Sequence, residues 1–128
     1  MIDIPPSPSS PRIFFAEAEQ RLTISGDSYP ENTFEFYQPV FSWLKENLPA
    51  LSKITMDVNI RYMNSSSTKC MLDILDMLDD VAKKGCNASV RWYYEVDNER
   101  ARDIADEFQE DVDLPFEIIA VEPSGTPA

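Results

Sequence analysis

The chain of 128 residues carries 11 basic and 23 acidic side chains, a formal net charge of −12, and no histidine. Its length suits a single domain with a core of its own, and 43% hydrophobic residues separate it from disordered chains. The acidic balance argues against nucleic acid or an anionic membrane as partner and favours a protein with a basic patch; the missing histidine removes Ser-His triads, histidine metal ligands and phosphohistidine relays.

In chain order, residues 1–11 hold four prolines and three serines and read as a flexible leader. Ile13 to Ala18 and Arg21 to Ser25 read as two short strands in a hairpin turning near Glu19-Gln20. Gly26-Asp27-Ser28-Tyr29-Pro30-Glu31-Asn32 combines a turn with helix-start chemistry, Ser28 being a cap candidate and Pro30 and Glu31 first-turn residues. Phe34, Tyr37, Phe41, Leu44 and Leu48 then recur at helical spacing, and Pro39 is expected to kink or split that helix. From Lys53 to Tyr62 the pattern alternates, with Ile54, Met56, Val58, Ile60 and Tyr62 on one face. Met71, Leu72, Ile74, Leu75, Leu78, Val81 and Ala82 mark the clearest helix, stopped by Lys83-Lys84-Gly85. A strand over Ala88–Glu95, a helix opening at Asp97-Asn98-Glu99, a strand over Phe116–Val121 and a flexible tail at 123–128 complete the chain.

The order ββαβαβαβ predicts an α/β domain over residues 12–122, with a mixed, mostly parallel five-stranded sheet and three main helices. Right-handed crossovers bring the turns at Gly26–Asn32, Asn64–Thr68 and Glu95–Glu99 to one edge of the sheet, where sites form in open α/β sheets. Cys70 and Cys86 are not a CxxC pair, and Cys70 falls within an apolar helical pattern that suits buried packing. No signal peptide pattern or bilayer-length apolar run is visible, so a cytoplasmic location is expected.

Between the clearest strand and the clearest helix stand four consecutive hydroxyls, Ser65-Ser66-Ser67-Thr68. Activating one as a nucleophile needs a base; there is no histidine and no GxSxG elbow, and Ser66 to Lys69 lacks the remaining elements of the SxxK families, so a Ser-dependent small-molecule enzyme is a weak alternative. A phosphate cradle needs glycines, and none lies near Ser65 or Lys69. Asp73, Asp76 and Asp80 share a helix face and read as solvated rather than metal-binding. Two meanings remain for the hydroxyls. One serine suffices as a helix cap, and a run at a helix N-terminus also suits regulatory phosphorylation, which adds about −1.5 to −2 charge.

GDSYPEN at 26–32, Tyr62-Met63-Asn64-Ser65-Ser66-Ser67-Thr68-Lys69, Arg91-Trp92-Tyr93-Tyr94 and Asn98-Glu99-Arg100 together resemble the bacterial SiaC family of biofilm regulation phosphoproteins, over about Arg21 to Ile119. The resemblance implies a fold like the sulphate transporter and anti-sigma factor antagonist (STAS) domain. It implies a switch protein rather than an enzyme, with no cofactor and no metal. The implied partners are a SiaB-like Ser/Thr kinase, a SiaA-like PP2C-type phosphatase and a SiaD-like GGDEF diguanylate cyclase. The unphosphorylated form is expected to activate that cyclase, raising cyclic di-GMP and promoting biofilm; the alternative output is an anti-sigma factor. The family's acceptor is a Thr directly after the turn Asn, a position held here by Ser65, with Ser66 and Ser67 as rivals; Asn64 or Ser66 is then the cap. Asp27, Ser28, Tyr29, Pro30, Glu31, Asn32, Asn64 and Lys69 are the expected partner-binding residues.

Overall fold

The computed structural model describes residues 2–122; the tail at 123–128 lies outside the described residues. The strands are β1 (Asp3–Ile4), β2 (Arg12–Ala16), β3 (Arg21–Ser28), β4 (Lys53–Met63), β5 (Asn87–Glu95) and β6 (Phe116–Val121). The helices are α1 (Thr33–Asn47), α2 (Ser65–Lys83) and α3 (Glu99–Asp111), with a 3-10 turn at Leu48–Ala50. One six-stranded sheet runs in the order β1-β2-β3-β4-β5-β6, antiparallel from β1 to β3 and parallel from β3 to β6.

The sixth strand comes from the segment expected as a flexible leader. Asp3 and Ile4 pair with Phe14 and Ile13, Ile2 is buried, and the Ser9 carbonyl accepts the Tyr29 N–H at 2.8 Å. Ser10 and Pro11 are buried against the end of β3, where Gly26 takes a φ of +118°. A Cβ at Gly26 would sit in ordinary contact with the Pro11 Cα at 3.4 Å, so it is the backbone angle that favours glycine. In this segment Ile2 supplies an apolar anchor and the serines supply turn hydrogen bonds.

Three successive crossovers in one direction along the sheet place all three helices on one face. The alternation of β4 follows from that arrangement. Ile54, Met56, Val58 and Ile60 are buried under the helices, while Thr55, Asp57 and Asn59 face the open side. Trp43 of α1 lies over Phe15 with ring centroids 4.7 Å apart, and Trp92 packs between Phe108 of α3 and Phe116 of β6. On the open face Arg91 clasps Asp57 through two 2.8 Å hydrogen bonds, and Arg21 approaches the same carboxylate at 3.5 Å. The ion pair raises the Arg91 pKa further above its ordinary value.

Three local expectations are corrected. Helix α1 is continuous through Pro39, which neither splits it nor starts a new piece; Pro39 is exposed, so water can serve the carbonyl whose N–H partner is missing. Ser28 is not a helix cap and Pro30 and Glu31 precede the helix, because β3 continues to Ser28 and the N-cap position falls on Asn32. Tyr62 does not face the core. The register between β3 and β4 passes from Gly26↔Ile60 to Ser28↔Met63, so β4 carries one extra residue there. That bulge turns Tyr62 outward, 49% exposed, and puts Met63 inside.

Candidate functional site

The C-terminal ends of β3, β4 and β5 lie side by side, and the three turns that follow them form one edge. Each is tied to a neighbour. The Asn64 N–H donates to the Ser28 carbonyl at 3.0 Å, joining the β4–α2 turn to the end of β3. Arg61 grips Asp27 with contacts of 2.8 and 3.3 Å, which pushes the Arg61 pKa up further. Asn98, the N-cap of α3, donates from its amide to the Arg61 carbonyl at 3.1 Å.

At the centre stands the N-terminus of α2. Asn64 is its cap: its side-chain oxygen accepts the Ser67 N–H at 2.8 Å, while its carbonyl takes the Thr68 hydroxyl at 3.0 Å. Ser65 and Ser66 open the helix and are exposed, as is Lys69 one turn on. Ser67 turns inward and is 1% exposed. Helical rotation of about 100° per residue explains why neighbouring serines face such different surroundings.

Beneath the turn, the Ser28 hydroxyl donates to Ser67 Oγ at 2.8 Å and lies 2.6 Å from the Tyr37 hydroxyl. A serine has one hydroxyl hydrogen, so Tyr37 must donate to Ser28. Burial pushes the Tyr37 pKa up to about 12. The neighbouring Cys70 thiol is also raised, by burial and then by Asp73, which makes it a poor nucleophile.

The edge presents an aromatic patch. Tyr29 and Tyr62 meet edge-on with centroids 5.7 Å apart, and Phe34 stands 53% exposed on the first turn of α1. Of the residues expected to bind partners, Tyr29, Glu31, Asn32 and Lys69 are exposed, and Asp27 and Asn64 are half-buried. Ser28 and Pro30 are buried: the Ser28 hydroxyl donates to Ser67, and the Pro30 carbonyl accepts the Thr33 hydroxyl.

The sequence pattern did not single out Arg61, Tyr62 or Tyr37 for this site. A signal existed for Tyr62, since strict alternation breaks at Tyr62-Met63. Tyr37 stands where an all-apolar stripe would accept phenylalanine. The acidic run on α2 also divides: Asp73, Asp76 and Asp80 are exposed, whereas Asp79 is buried and accepts the N–H groups of Asp113 and Leu114 at 3.2 and 3.1 Å.

The model of the SiaC family regulatory phosphoproteins matches residues 4–121. This chain belongs to the SiaC family. An uncharacterized protein of Pseudomonas aeruginosa strain UCBPP-PA14 is 39% identical over 120 residues, 93% of this chain and 95% of that protein. The solved structure of SiaC of Pseudomonas aeruginosa superposes with a TM-score of 0.86 at 38% identity, covering 93% of this chain and 97% of that one. A chain in the crystal structure of the diguanylate cyclase SiaD in complex with its activator SiaC, from the same organism, matches with a TM-score of 0.89 at 39% identity, covering 94% and 99%. The resemblance carried by the GDSYPEN block and the serine turn thus extends over residues 4–121 of this chain. Among the described residues, no helix is long and apolar enough to cross a membrane.

Proposed function

We propose that this chain is a non-enzymatic, phospho-controlled partner switch whose unphosphorylated form binds and activates a SiaD-like GGDEF diguanylate cyclase in the cytoplasm, raising cyclic di-GMP. A SiaB-like Ser/Thr kinase adds phosphate at Ser65 and a SiaA-like PP2C-type phosphatase removes it. The observation that carries the proposal is the exposed Ser65 hydroxyl at the start of α2, on an edge where Tyr29 and Tyr62 also stand exposed. The near full-length likeness to a SiaC that activates a cyclase supports the same output.

The mechanism follows from charge and solvation. A helix N-terminus tolerates a phosphate, worth about 0.3–1 kcal/mol of favourable dipole interaction, so the modified chain stays folded. A partner that covers the aromatic edge must strip water from the dianion, and without a well-placed cation that desolvation opposes docking. Catalysis by Ser65 itself is not part of the proposal, because the hydroxyl is exposed and Lys69, the nearest candidate base in sequence, is exposed too.

The test is cyclase turnover in the presence of Ser65→Ala and Ser65→Glu chains. The alanine variant activates and takes no phosphate at this position; the glutamate variant folds normally and fails to activate. Full activation by Ser65→Glu, or kinase-dependent phosphate found only at positions other than Ser65, refutes the assignment.

A further inference from the structure

Four consecutive hydroxyls are chemically equivalent as acceptors in the sequence, yet the fold separates them into two pairs. Ser65 and Ser66 are exposed, and among the described residues neither hydroxyl makes a hydrogen bond. Thr68 is half-buried and its hydroxyl donates to the Asn64 carbonyl. Ser67 is buried, with its oxygen receiving the Ser28 hydroxyl. We infer that the buried chain Tyr37–Ser28–Ser67 determines which hydroxyls can be phosphorylated: it withholds Ser67, anchors the first turn of α2, and leaves transfer to Ser65 and Ser66. The inference rests on the switch reading proposed above and adds the residues that set its site specificity.

Transfer of a phosphoryl group from ATP forms a bond between a serine Oγ and the γ-phosphorus. The bond from that phosphorus to the β,γ-bridging oxygen breaks, ADP leaves, and the hydroxyl proton is released. The attacking oxygen must reach phosphorus roughly in line with the departing ADP oxygen. Ser67 Oγ cannot do so while α2 is docked, because Ser28 lies 2.8 Å away and both Ser28 and Tyr37 are fully buried. A phosphate forced onto Ser67 would displace the Ser28 hydroxyl and bury a dianion among neutral groups.

Ser28 and Tyr37 are positioning residues here, since neither touches the transferred group. Their donor order is fixed from α1 to β3 to α2: Tyr37 donates to Ser28, and Ser28 donates to Ser67. The same turn is held by the Asn64 N–H on the Ser28 carbonyl and by Asn64 capping Ser67. Removing the Ser28 hydroxyl cuts the side-chain tie from β3 to α2 and leaves the two backbone-directed bonds, so the turn loosens without losing its helix.

Two experiments test the inference. In the first, phosphoserine is genetically encoded at position 65, 66 or 67 of the full chain, with no kinase present, and thermal midpoints are compared. Phosphoserine at 65 or 66 is expected to leave the midpoint within about 3 °C of the unmodified chain, whereas at 67 it lowers it by about 10 °C or more. Equal midpoints at all three positions overturn the inference. In the second, the wild-type, Ser28→Ala and Tyr37→Phe chains are treated with a SiaB-like kinase and ATP, and phosphate is mapped by fragmentation mass spectrometry. The wild type carries phosphate on Ser65 or Ser66, and Ser28→Ala raises the fraction on Ser67 by about tenfold, in step with faster amide exchange in the first turn of α2. Tyr37→Phe keeps the ring and shifts the distribution in the same direction by less. Comparable phosphate on Ser67 and Ser65 in the wild type, or an unchanged site distribution in both variants, overturns it. A wild-type chain that takes no phosphate counts against the switch reading, and the encoded-phosphoserine comparison still decides whether Ser67 is withheld.

Discussion

Replacing Tyr62 by alanine separates the docking role of the edge from its structural role. Complete burial of an aromatic side chain removes about 150–250 Å² from water. Tyr62 is 49% exposed, so about half of that is at stake. At about 25 cal/mol per Å² the loss is at most about 3 kcal/mol, since an extended-chain reference overstates the area. A core aromatic truncated to alanine costs about 3–5 kcal/mol instead. The thermal midpoint should therefore fall by no more than about 12 °C. Binding should suffer more sharply. Exposed aromatics at the centre of an interface are worth about 2 kcal/mol or more, and their loss weakens the complex by about 30-fold. Isothermal titration against a SiaD-like cyclase, at a temperature where both chains are folded, reads that ratio directly. An affinity within about threefold of the wild type would remove Tyr62 from the docking edge. A midpoint drop of about 15 °C or more would show that its ring belongs to the core after all. The Tyr29→Ala chain should behave alike, and the double variant should lose less than the sum, because the two rings touch.

Asp79→Ala strands two backbone N–H groups at the start of the loop into β6 and should cost about 2–4 kcal/mol, seen as a lower denaturant midpoint; Asp79→Asn keeps an acceptor and should cost markedly less. The buried Tyr37 phenol should make the fold sensitive to alkali. Its folded pKa of about 12 lies above the ordinary 10.0, so the unfolded chain loses this proton first, and stability present below pH 10 declines as the pH rises towards 12. Tyr37→Phe should remove that component from the pH profile, and an unaltered profile would place the alkaline transition elsewhere. Gly26→Ala should cost about 1–2 kcal/mol in chemical denaturation, because a Cβ at a φ of +118° is strained whatever the space around it; a loss below about 0.5 kcal/mol would refute that strain.

Periodicity made the strand at Lys53–Tyr62 legible, along with the body of α2, because each pattern repeats over enough residues to name its buried face. It also placed the three turns on one edge, since parallel crossovers leave little topological choice. Legibility ended where a single residue broke the pattern. The bulge after Ile60 reversed Tyr62, and nothing local distinguished a bulge from the end of the strand. The first strand was hidden among prolines, because two residues of pairing and one buried isoleucine make no periodic signal.

The sequence by itself determined that the serine turn has no histidine base, no glycine cradle and no elbow motif beside it. It also determined that a phosphate is tolerable there, because a strand entering a helix exposes unpaired N–H groups to any charge at that position. Tertiary structure alone decided which hydroxyl faces which environment. Ser65, Ser66 and Ser67 are the same residue type in sequence, but each step along α2 turns the side chain by about 100°. Whether that step points into water or onto Ser28 depends on where β3 and α1 lie, at residues about 30 to 40 positions away.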